Sequence, residues 1–258
     1  MMNIYVCIKQ VPDTETKIKL NSDATGIETA GVKWIVSPYD EFAIEEALRL
    51  KEKNAGSTVT VVAAAPERAT EAIRTALAMG CDSGIRVDVP EGADSNLNAK
   101  ALAGALKKQE KVDIVFCGKE AIDDGASQVS QLLAAYLDFP SVAVVLSAEY
   151  SADKVTCNRE VEGGALETVE VSLPAVFAAQ KGLNEPRYAS LPNIMKAKKK
   201  KIDVMGMDDV GVSESDQRTR TKAFKLPEAK KAGIKIEGEV PAQVAELAKK
   251  LHEEAKVI

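Results

Sequence analysis

Short apolar runs alternate with amphipathic segments along the first half of the chain, and this alternation strongly restricts the fold that the chain can adopt. Runs rich in apolar and β-branched residues lie at 4–8, 58–64, 84–89 and 113–117. Runs of this length are typical of strands that are covered on both faces. The segments between them carry apolar residues at helical spacing. The sequence therefore predicts an α/β fold: a doubly wound, mainly parallel sheet with helices on both faces.

The segments between the strands carry their own boundary signals. Ser37, Pro38 and Asp40 supply an N-cap serine, a proline in the first turn and an early acidic residue, which together predict a helix start. A further helix is predicted at 98–108, and another follows the polar loop 118–128. Each predicted helix connects two predicted strands, as a parallel sheet requires.

The pattern changes past the middle of the chain. Two segments of alternating polarity, 155–161 and 166–172, meet at Gly163 and Gly164 and predict a β-hairpin. Residues 175–179 are again apolar and are expected to return to the main sheet.

The chain is predicted to have two parts. Residues 1–202 form the α/β domain, which includes the hairpin at 155–173 and an exposed loop at 184–201. Residues 203–258 form an extended arm that ends in an amphipathic helix over 240–255. The apolar stripe of this helix consists of Val240, Val244, Leu247 and Leu251. Such a stripe needs a surface to pack on, either its own domain or a partner subunit.

Composition argues against several classes of function. The net charge of −5 disfavours a general nucleic-acid binder, because phosphate contacts need a basic surface. His252 is the only histidine, so neither a Ser-His-Asp triad in the body of the chain nor a multi-histidine metal site is expected.

The four cysteines are far apart and form no CxxC pair, which indicates buried reduced thiols. No apolar run approaches the roughly 20 residues of a membrane span, and the N-terminus has no leader-like pattern. We expect a cytoplasmic protein without catalytic or metal-binding residues.

The loop 118–130 has the composition of a phosphate-binding turn. Gly118 ends a predicted strand, and small or hydroxyl-bearing residues open the next helix. Such residues let the backbone approach an anion, and helix N-terminal amides can bind it. Neither GxxxxGK[ST] nor GxGxxG occurs, so an ordinary strand-to-helix turn stays an alternative. Asp123 and Asp124 would repel phosphate and are expected to hold the loop or to face ribose.

Residues 184–201 (NEPRYASLPNIMKAKKKK) place a compact apolar patch directly before a block of lysines. Pro186 and Pro192 restrict the backbone between them, which predicts a stiff, exposed loop. Asn193 is expected to cap a short helix at 194–200. Two interpretations stay open: a solvated basic turn, or a docking site whose apolar side chains bind a partner while the lysines steer an acidic surface toward it.

Several segments follow one another along the chain in a specific order. They are KQVPDTETKI at 9–18, SPYDEFAIEEALRLKEK at 37–53, IRTALAMG at 73–80, GKEAIDDGASQVSQ at 118–131, the hairpin at 155–173, LPAVFAA at 173–179 and the lysine-rich segment at 184–201. Together they resemble the β subunit of electron-transfer flavoprotein, over about four-fifths of the chain. The resemblance implies a Rossmann-like domain that binds an adenine nucleotide. It also implies an electron-carrier subunit rather than an enzyme.

The resemblance implies a structural AMP in this subunit. Carried over by position, the residues that would bind it are Cys7, Ser37, Pro38, Tyr39, Asp40, Ala64, Gly118, Lys119, Ala121, Ile122, Asp123, Asp124, Gly125, Ala126, Ser127, Gln128 and Val129. In the electron-bifurcating branch of the family a second FAD occupies this place, and Gln128-Val129 fits that branch. The Gly-Asp-Thr pattern of that branch is missing, and SPYDEFA and LPNIMKAKKKK look like the AMP-binding branch, so AMP is favoured.

The resemblance also implies a set of partners. An α subunit would hold most of an FAD, acyl-CoA dehydrogenases would supply electrons, and a membrane quinone oxidoreductase would accept them. Leu191 would be the apolar anchor of the dehydrogenase-docking site, whose members are Arg187, Tyr188, Leu191, Ile194, Met195 and Lys196. Glu160, which the residues alone place on a solvated strand face, would restrain the mobile FAD domain of the α subunit. A stand-alone adenine-nucleotide sensor is a further hypothesis.

Overall fold

The computed structural model describes residues 1–229 and 232–258. Within these residues there are eleven strands, and nine of them form one central sheet. In chain order the strands are β1 (Asn3–Cys7), β2 (Gln10–Pro12), β3 (Trp34–Val36), β4 (Thr58–Ala64), β5 (Ser83–Val87), β6 (Ile114–Gly118), β7 (Ser141–Tyr150), β8 (Lys154–Glu160), β9 (Leu166–Ser172), β10 (Ala175–Ala179) and β11 (Ile202–Met205). The sheet order is β11-β5-β4-β1-β6-β10-β7-β8-β9, and β2 pairs separately with β3. Pairing is parallel from β11 to β7 and antiparallel across β7, β8 and β9. The predicted mainly parallel sheet and the hairpin are confirmed.

Helices α1 (Pro38–Lys53), α2 (Thr70–Met79), α3 (Ser95–Lys107) and α4 (Val129–Leu137) cover the two faces of this sheet. Two further helices, α5 (Leu191–Ala197) and α6 (Val240–Lys249), follow later in the chain. Helices α1 and α2 pack with Ile4 and Val6 of β1, whereas α3 and α4 pack with Tyr5 and Cys7 of the same strand. Successive side chains of a strand point to opposite faces, so β1 separates two cores, as a doubly wound fold requires.

The strand order reverses at β1. From β1 the chain moves to β4 and β5 on one side, and then returns to β6 on the other side. In parallel sheets the crevice outside the carboxyl ends of the strands at such a reversal is the usual ligand site. Topology therefore points to the ends of β1 and β6, near Cys7 and Gly118.

Several boundaries differ from the predicted ones. Helix α3 begins three residues before the predicted 98–108, because the carboxylate of Asp94 caps it by accepting the Leu97 amide at 2.9 Å. Strand β7 was not predicted. Strand β11 crosses the predicted boundary between residues 202 and 203, and Val210 and Val212 of the predicted arm are buried in the core beside α3. Contacts accordingly divide the chain into the units Met1–Ala223 and Phe224–Ile258.

The unit Phe224–Ile258 contains α6, followed by a π-helical segment at Lys250–Ala255. The helix predicted over 240–255 is therefore confirmed. Its apolar side chains Val240, Val244 and Leu247 are exposed. In the part of the chain that the structure describes, no helix has both the length and the apolar character that crossing a bilayer demands.

Candidate functional site

A cleft opens at the carboxyl ends of β1, β4 and β6, where the strand order reverses. It holds about 660 Å³ of empty space, including the solvent at its mouth. Its lining consists of Cys7, Ile8, Lys9, Asp40, Ala64, Ser95, Asn98, Leu102, Cys117, Gly118, Lys119, Glu120, Ala121, Asp124, Ala126, Ser127, Gln128, Val129 and Ser130. Concave clefts lined by apolar surface and a few polar groups, at the carboxyl ends of parallel strands, are typical small-molecule sites.

Most of the predicted nucleotide-binding residues line this cleft. They are Cys7, Asp40, Ala64, Gly118, Lys119, Ala121, Asp124, Ala126, Ser127, Gln128 and Val129. The remainder lie beside it and do not line it: Ser37, Pro38, Tyr39, Ile122, Asp123 and Gly125. Among these, Ser37 is fully buried, and its hydroxyl has no hydrogen-bond partner among the residues that the structure describes.

Sequence reasoning missed one wall of the cleft. Ser95, Asn98 and Leu102 come from the first turns of α3, which follows β5 rather than β6. In a doubly wound sheet, the helices that follow neighbouring strands begin at the same edge. The predicted order of strands and helices therefore indicated that the start of α3 lies beside the cleft. The residue types at the start of α3 did not indicate it.

A buried carboxylate joins the two strands at the floor of the cleft. The Asp40 carboxylate accepts hydrogen bonds from the backbone amides of Gly118 (2.9 Å) and Lys9 (2.7 Å). Burial raises the pKa of Asp40 to about 7, although both amides oppose the shift. Gly118 has no side chain here because a Cβ would lie 2.8 Å from the Asp40 nitrogen. The start of α1 is thereby fixed against the ends of β1 and β6.

The two aspartates of the loop bind a lysine. Lys9 Nζ lies 2.9 Å from a carboxylate oxygen of Asp123 and 2.8 Å from one of Asp124. Burial by itself would lower the pKa of Lys9, but the two carboxylates outweigh burial and raise it. Asp124 also accepts the Ala126 amide at 3.0 Å. Both carboxylates thus hold the loop, which is one of the two roles that the sequence suggested for them.

Helix α4 points its N-terminus into the cleft. Gln128 at the N-cap makes no side-chain capping bond, and its carbonyl accepts the Leu132 amide at 3.0 Å. The amides of the first turn therefore have no acceptor within the helix. Before it, Gly125 (φ 58°) and Ser127 (φ 51°) adopt left-handed backbone conformations that turn the loop toward the helix. This arrangement is suited to binding a phosphate group.

The inner wall of the cleft is apolar. Ile8, Ala64 and Leu102 contribute aliphatic surface to the lining, and Cys7 and Cys117 line the cleft as well. The two cysteines are register partners on β1 and β6. A hydrogen bond with Cys7, together with burial, raises the pKa of the Cys117 thiol. Cys117 is therefore a protonated wall residue rather than a nucleophile.

The docking segment, defined as residues 184–201, exposes a row of apolar side chains. Tyr188 is 98% exposed and Leu191 is 80% exposed, while Ile194 and Met195 are exposed on α5. Lys196 is exposed beside them. The prediction that Asn193 caps a helix at 194–200 was wrong, because Ser190 caps α5 by accepting the Asn193 amide at 3.4 Å. The helix then begins at Leu191, with Pro192 in its first turn, where proline is tolerated.

Two basic residues of this segment bind within the domain. Arg187 forms ion pairs with Glu45 (2.7 Å) and Glu52 (2.5 Å) on α1. Lys200 Nζ donates to the carbonyls of Leu77 and Cys81 at the end of α2. The lysine block is therefore only partly a solvated basic face.

Comparison with known proteins agrees with this architecture. A family model described as "Electron transfer flavoprotein domain" matches residues 25–210. "Electron transfer flavoprotein subunit beta" of Homo sapiens is 44% identical over 239 residues, which cover 92% of this chain and 93% of that protein. The protein of the same name from Bacillus subtilis (strain 168) is 40% identical over 261 residues, covering both chains fully. The one from Syntrophomonas wolfei is 43% identical over 256 residues, or 99% of this chain and 98% of that one.

The chain belongs to the electron transfer flavoprotein β-subunit family. The resemblance stated from the sequence segments is thereby confirmed. As a member of this family, the chain is a subunit of a flavoprotein that transfers electrons.

In this member of the family, Glu160 ends β8 at the exposed side of the hairpin. Its Oε2 atom accepts a hydrogen bond from Gln180 Nε2 at 2.9 Å. The strand stops there, and the 3₁₀ turn Glu162–Gly164 follows it. Glu160 is therefore held by a neutral amide at the end of its strand.

Proposed function

We propose that the chain is the β subunit of a heterodimeric, cytoplasmic electron carrier. It would accept electrons from acyl-CoA dehydrogenases and pass them to a membrane quinone oxidoreductase. An FAD held mainly by an α subunit would supply the redox chemistry when bound. The observation that carries the proposal is the cleft itself, in which an open helix N-terminus faces an apolar wall while Asp40, Lys9 and Cys117 are already engaged within the protein. Such a site is suited to holding a nucleotide rather than transforming one.

The residues of the cleft fit AMP. The first-turn amides of α4 would bind its phosphate, and Ile8 and Leu102 would contact its base. The hydroxyls of Ser127 and Ser130, which donate to Glu120 and Gln131, would turn to the phosphate when it binds. Two backbone segments that β1 and β6 bring together would then be held by one ligand. AMP would stabilise the fold and take no part in electron transfer.

The exposed apolar row of the docking segment supports the assignment of dehydrogenase docking to it. Leu191 and Tyr188 project from a capped helix start, and large exposed apolar side chains on an ordered frame are typical of binding hot spots. Exposed lysines beside them, such as Lys196, would steer an acidic partner surface.

Two further contacts are proposed with the α subunit. The exposed stripe of α6 would pack on it, which would bury Val240, Val244 and Leu247. Glu160 would pair with an arginine of its mobile FAD domain, replacing the neutral Gln180 contact by a charge-assisted one.

The test is to identify the nucleotides released when the protein, purified with its natural partner chain, is denatured. One FAD and one AMP per heterodimer are expected. Two FAD and no AMP would instead make this cleft a flavin site and the chain a subunit of an electron-bifurcating flavoprotein, as Gln128-Val129 alone suggests. A stable monomer with AMP and no flavin partner would indicate a nucleotide sensor.

A further inference from the structure

The acidic side of α1 holds the base of the docking segment. Arg187 Nε and Nη2 donate to the two carboxylate oxygens of Glu45 at 2.7 and 3.1 Å. Its Nη1 and Nη2 donate to the two oxygens of Glu52 at 2.5 and 3.2 Å. The backbone amide of Arg187 also donates to Glu45, at 3.2 Å. The planar guanidinium therefore makes paired hydrogen bonds to both carboxylates at once, which the single ammonium group of lysine could not do.

A second set of contacts holds the residues just before Arg187. Asn184 is buried, with an exposure of 8%. Its side-chain amide donates to Glu46 Oε2 (2.9 Å) and to the Phe42 carbonyl (3.0 Å). Arg49 donates to the Glu185 carbonyl at 3.2 Å. Four residues of α1 thus contact the chain between 184 and 187 through side chains.

The far end of the docking segment is held as well. Ala197 is buried, and Arg74 of α2 donates to its carbonyl at 2.7 Å and to that of Lys200 at 2.5 Å. Between these two fixed ends, Tyr188 and Leu191 project into solvent. Because the fixed ends restrict the backbone of this span, its tyrosine and leucine lose little backbone entropy when they bind.

We propose that Arg187, clamped by Glu45 and Glu52, is a positioning residue for docking: it holds Tyr188 and Leu191 in the geometry in which a partner binds them, and does not itself contact the partner. The proposal rests on the docking role proposed above for Leu191. It changes the part expected of Arg187, which the family resemblance placed among the residues that touch the dehydrogenase.

The first measurement is a double-mutant cycle on the intact heterodimer. The KM for the carrier and the kcat are measured while an acyl-CoA dehydrogenase reduces it, for the wild type, Arg187→Ala, Leu191→Ala and the double variant. Arg187→Ala is expected to raise KM about tenfold, equivalent to about 1.4 kcal/mol, with kcat within about twofold. In the Leu191→Ala background the same change is expected to alter KM less than about twofold, because the anchor that it positions is gone.

Two further variants separate positioning from general damage. Arg187→Lys keeps the charge but can engage only one carboxylate well, so its KM should lie between those of wild type and Arg187→Ala. Lys154→Ala removes an exposed ion pair of similar length, 2.8 Å to Glu170 on the hairpin, and should leave KM unchanged.

Hydrogen exchange measures the clamp without any dehydrogenase. Arg187→Ala should speed amide exchange over residues 185–191 of the heterodimer and leave exchange in β1 and β6 as in the wild type. Unaltered exchange over residues 185–191 would overturn the proposal. It would also be overturned if Arg187→Ala raised KM by the same factor in the wild type and in Leu191→Ala, because that result would mean that Arg187 touches the partner. If Leu191→Ala leaves KM unchanged, the docking role proposed for Leu191 fails. This result differs from equal effects of Arg187→Ala in the two backgrounds, so the two failures can be told apart.

Discussion

Asp40 couples the candidate site to the pH of the solution. Its folded-state pKa, raised by burial to about 7, lies above the ordinary value of 3.8. Between these pH values the folded chain holds a proton that the unfolded chain has released. The free energy of unfolding contributed by Asp40 is therefore highest below pH 4 and falls as the pH rises toward 7.

We predict that the stability of the wild type relative to Asp40→Asn declines between pH 5 and pH 8. Asparagine does not titrate, so groups common to both proteins cancel in the difference. Chemical denaturation at each pH gives the two free energies of unfolding. Asp216→Asn is the matched control: the hydrogen bond from Lys100 lowers the pKa of Asp216, so its contribution is already complete above pH 5 and the corresponding difference should be flat. A flat curve for Asp40→Asn would contradict the prediction.

At the scale of single residues, strand ends were predictable and side-chain partners were not. Cys7, Ala64 and Gly118 reach the cleft because they end parallel strands, and their place in the apolar runs was visible in the sequence. Arg187 was expected in the docking site, and its contacts with Glu45 and Glu52 were not predicted, since these acceptors lie far away in sequence. Long-range polar contacts of this kind leave no local pattern.

Glycine at position 104 lets a late segment pack on α3. A Cβ at Gly104 would lie 2.8 Å from Val210 Cβ and closer still to the Val210 carbonyl oxygen. Val210 and Val212 are buried in the core beside α3. Together with the ion pair of Lys100 and Asp216 and the Arg218 and Thr219 amides that donate to Asp94, this contact keeps the polar sequence after residue 203 in the first unit.

Replacing Gly104 with alanine is predicted to destabilise the protein by about 1–3 kcal/mol, because the segment around Val210 must move although alanine favours helix. The measurement is thermal or chemical unfolding, with hydrogen exchange over 207–213 as a local readout. Gly206→Ala serves as the control, since a Cβ there meets nothing nearer than 3.5 Å. Equal stability of the two variants would show that Val210 does not depend on the missing side chain.

At the scale of elements, the sequence signal depended on how apolar each segment was. Strand β4 was predicted with its exact bounds, since TVTVVAA is a continuous run. Strand β7 carries a comparable valine-rich signal, and pattern reasoning could have found it. Strand β11 is only four residues long, contains Asp203 and follows the lysines directly, so the sequence obscures it. Its place beside β5 depends on register, which composition does not encode.

At the scale of the whole molecule, the exposed stripe of α6 predicts how the heterodimer forms. Leu247→Asp should reduce co-purification with the α subunit at least tenfold, since a charge replaces a side chain proposed to be buried there. Ala245→Asp adds the same charge on the other side of the helix, by helical periodicity, and should have little effect. The measurement is pull-down of the tagged α subunit with quantified β subunit. Equal recovery of both variants would remove α6 from the interface.

The position of β10 also sets the order in which the chain can fold. Residues 175–179 are buried between β6 and β7, and β11 closes the opposite part of the sheet against β5. A ribosome-bound chain that ends before residue 175 therefore leaves the edge of β6 unpaired, and open apolar edges promote aggregation. The sheet is completed only after the last strands emerge, so its many distant pairings favour slow, largely post-translational folding.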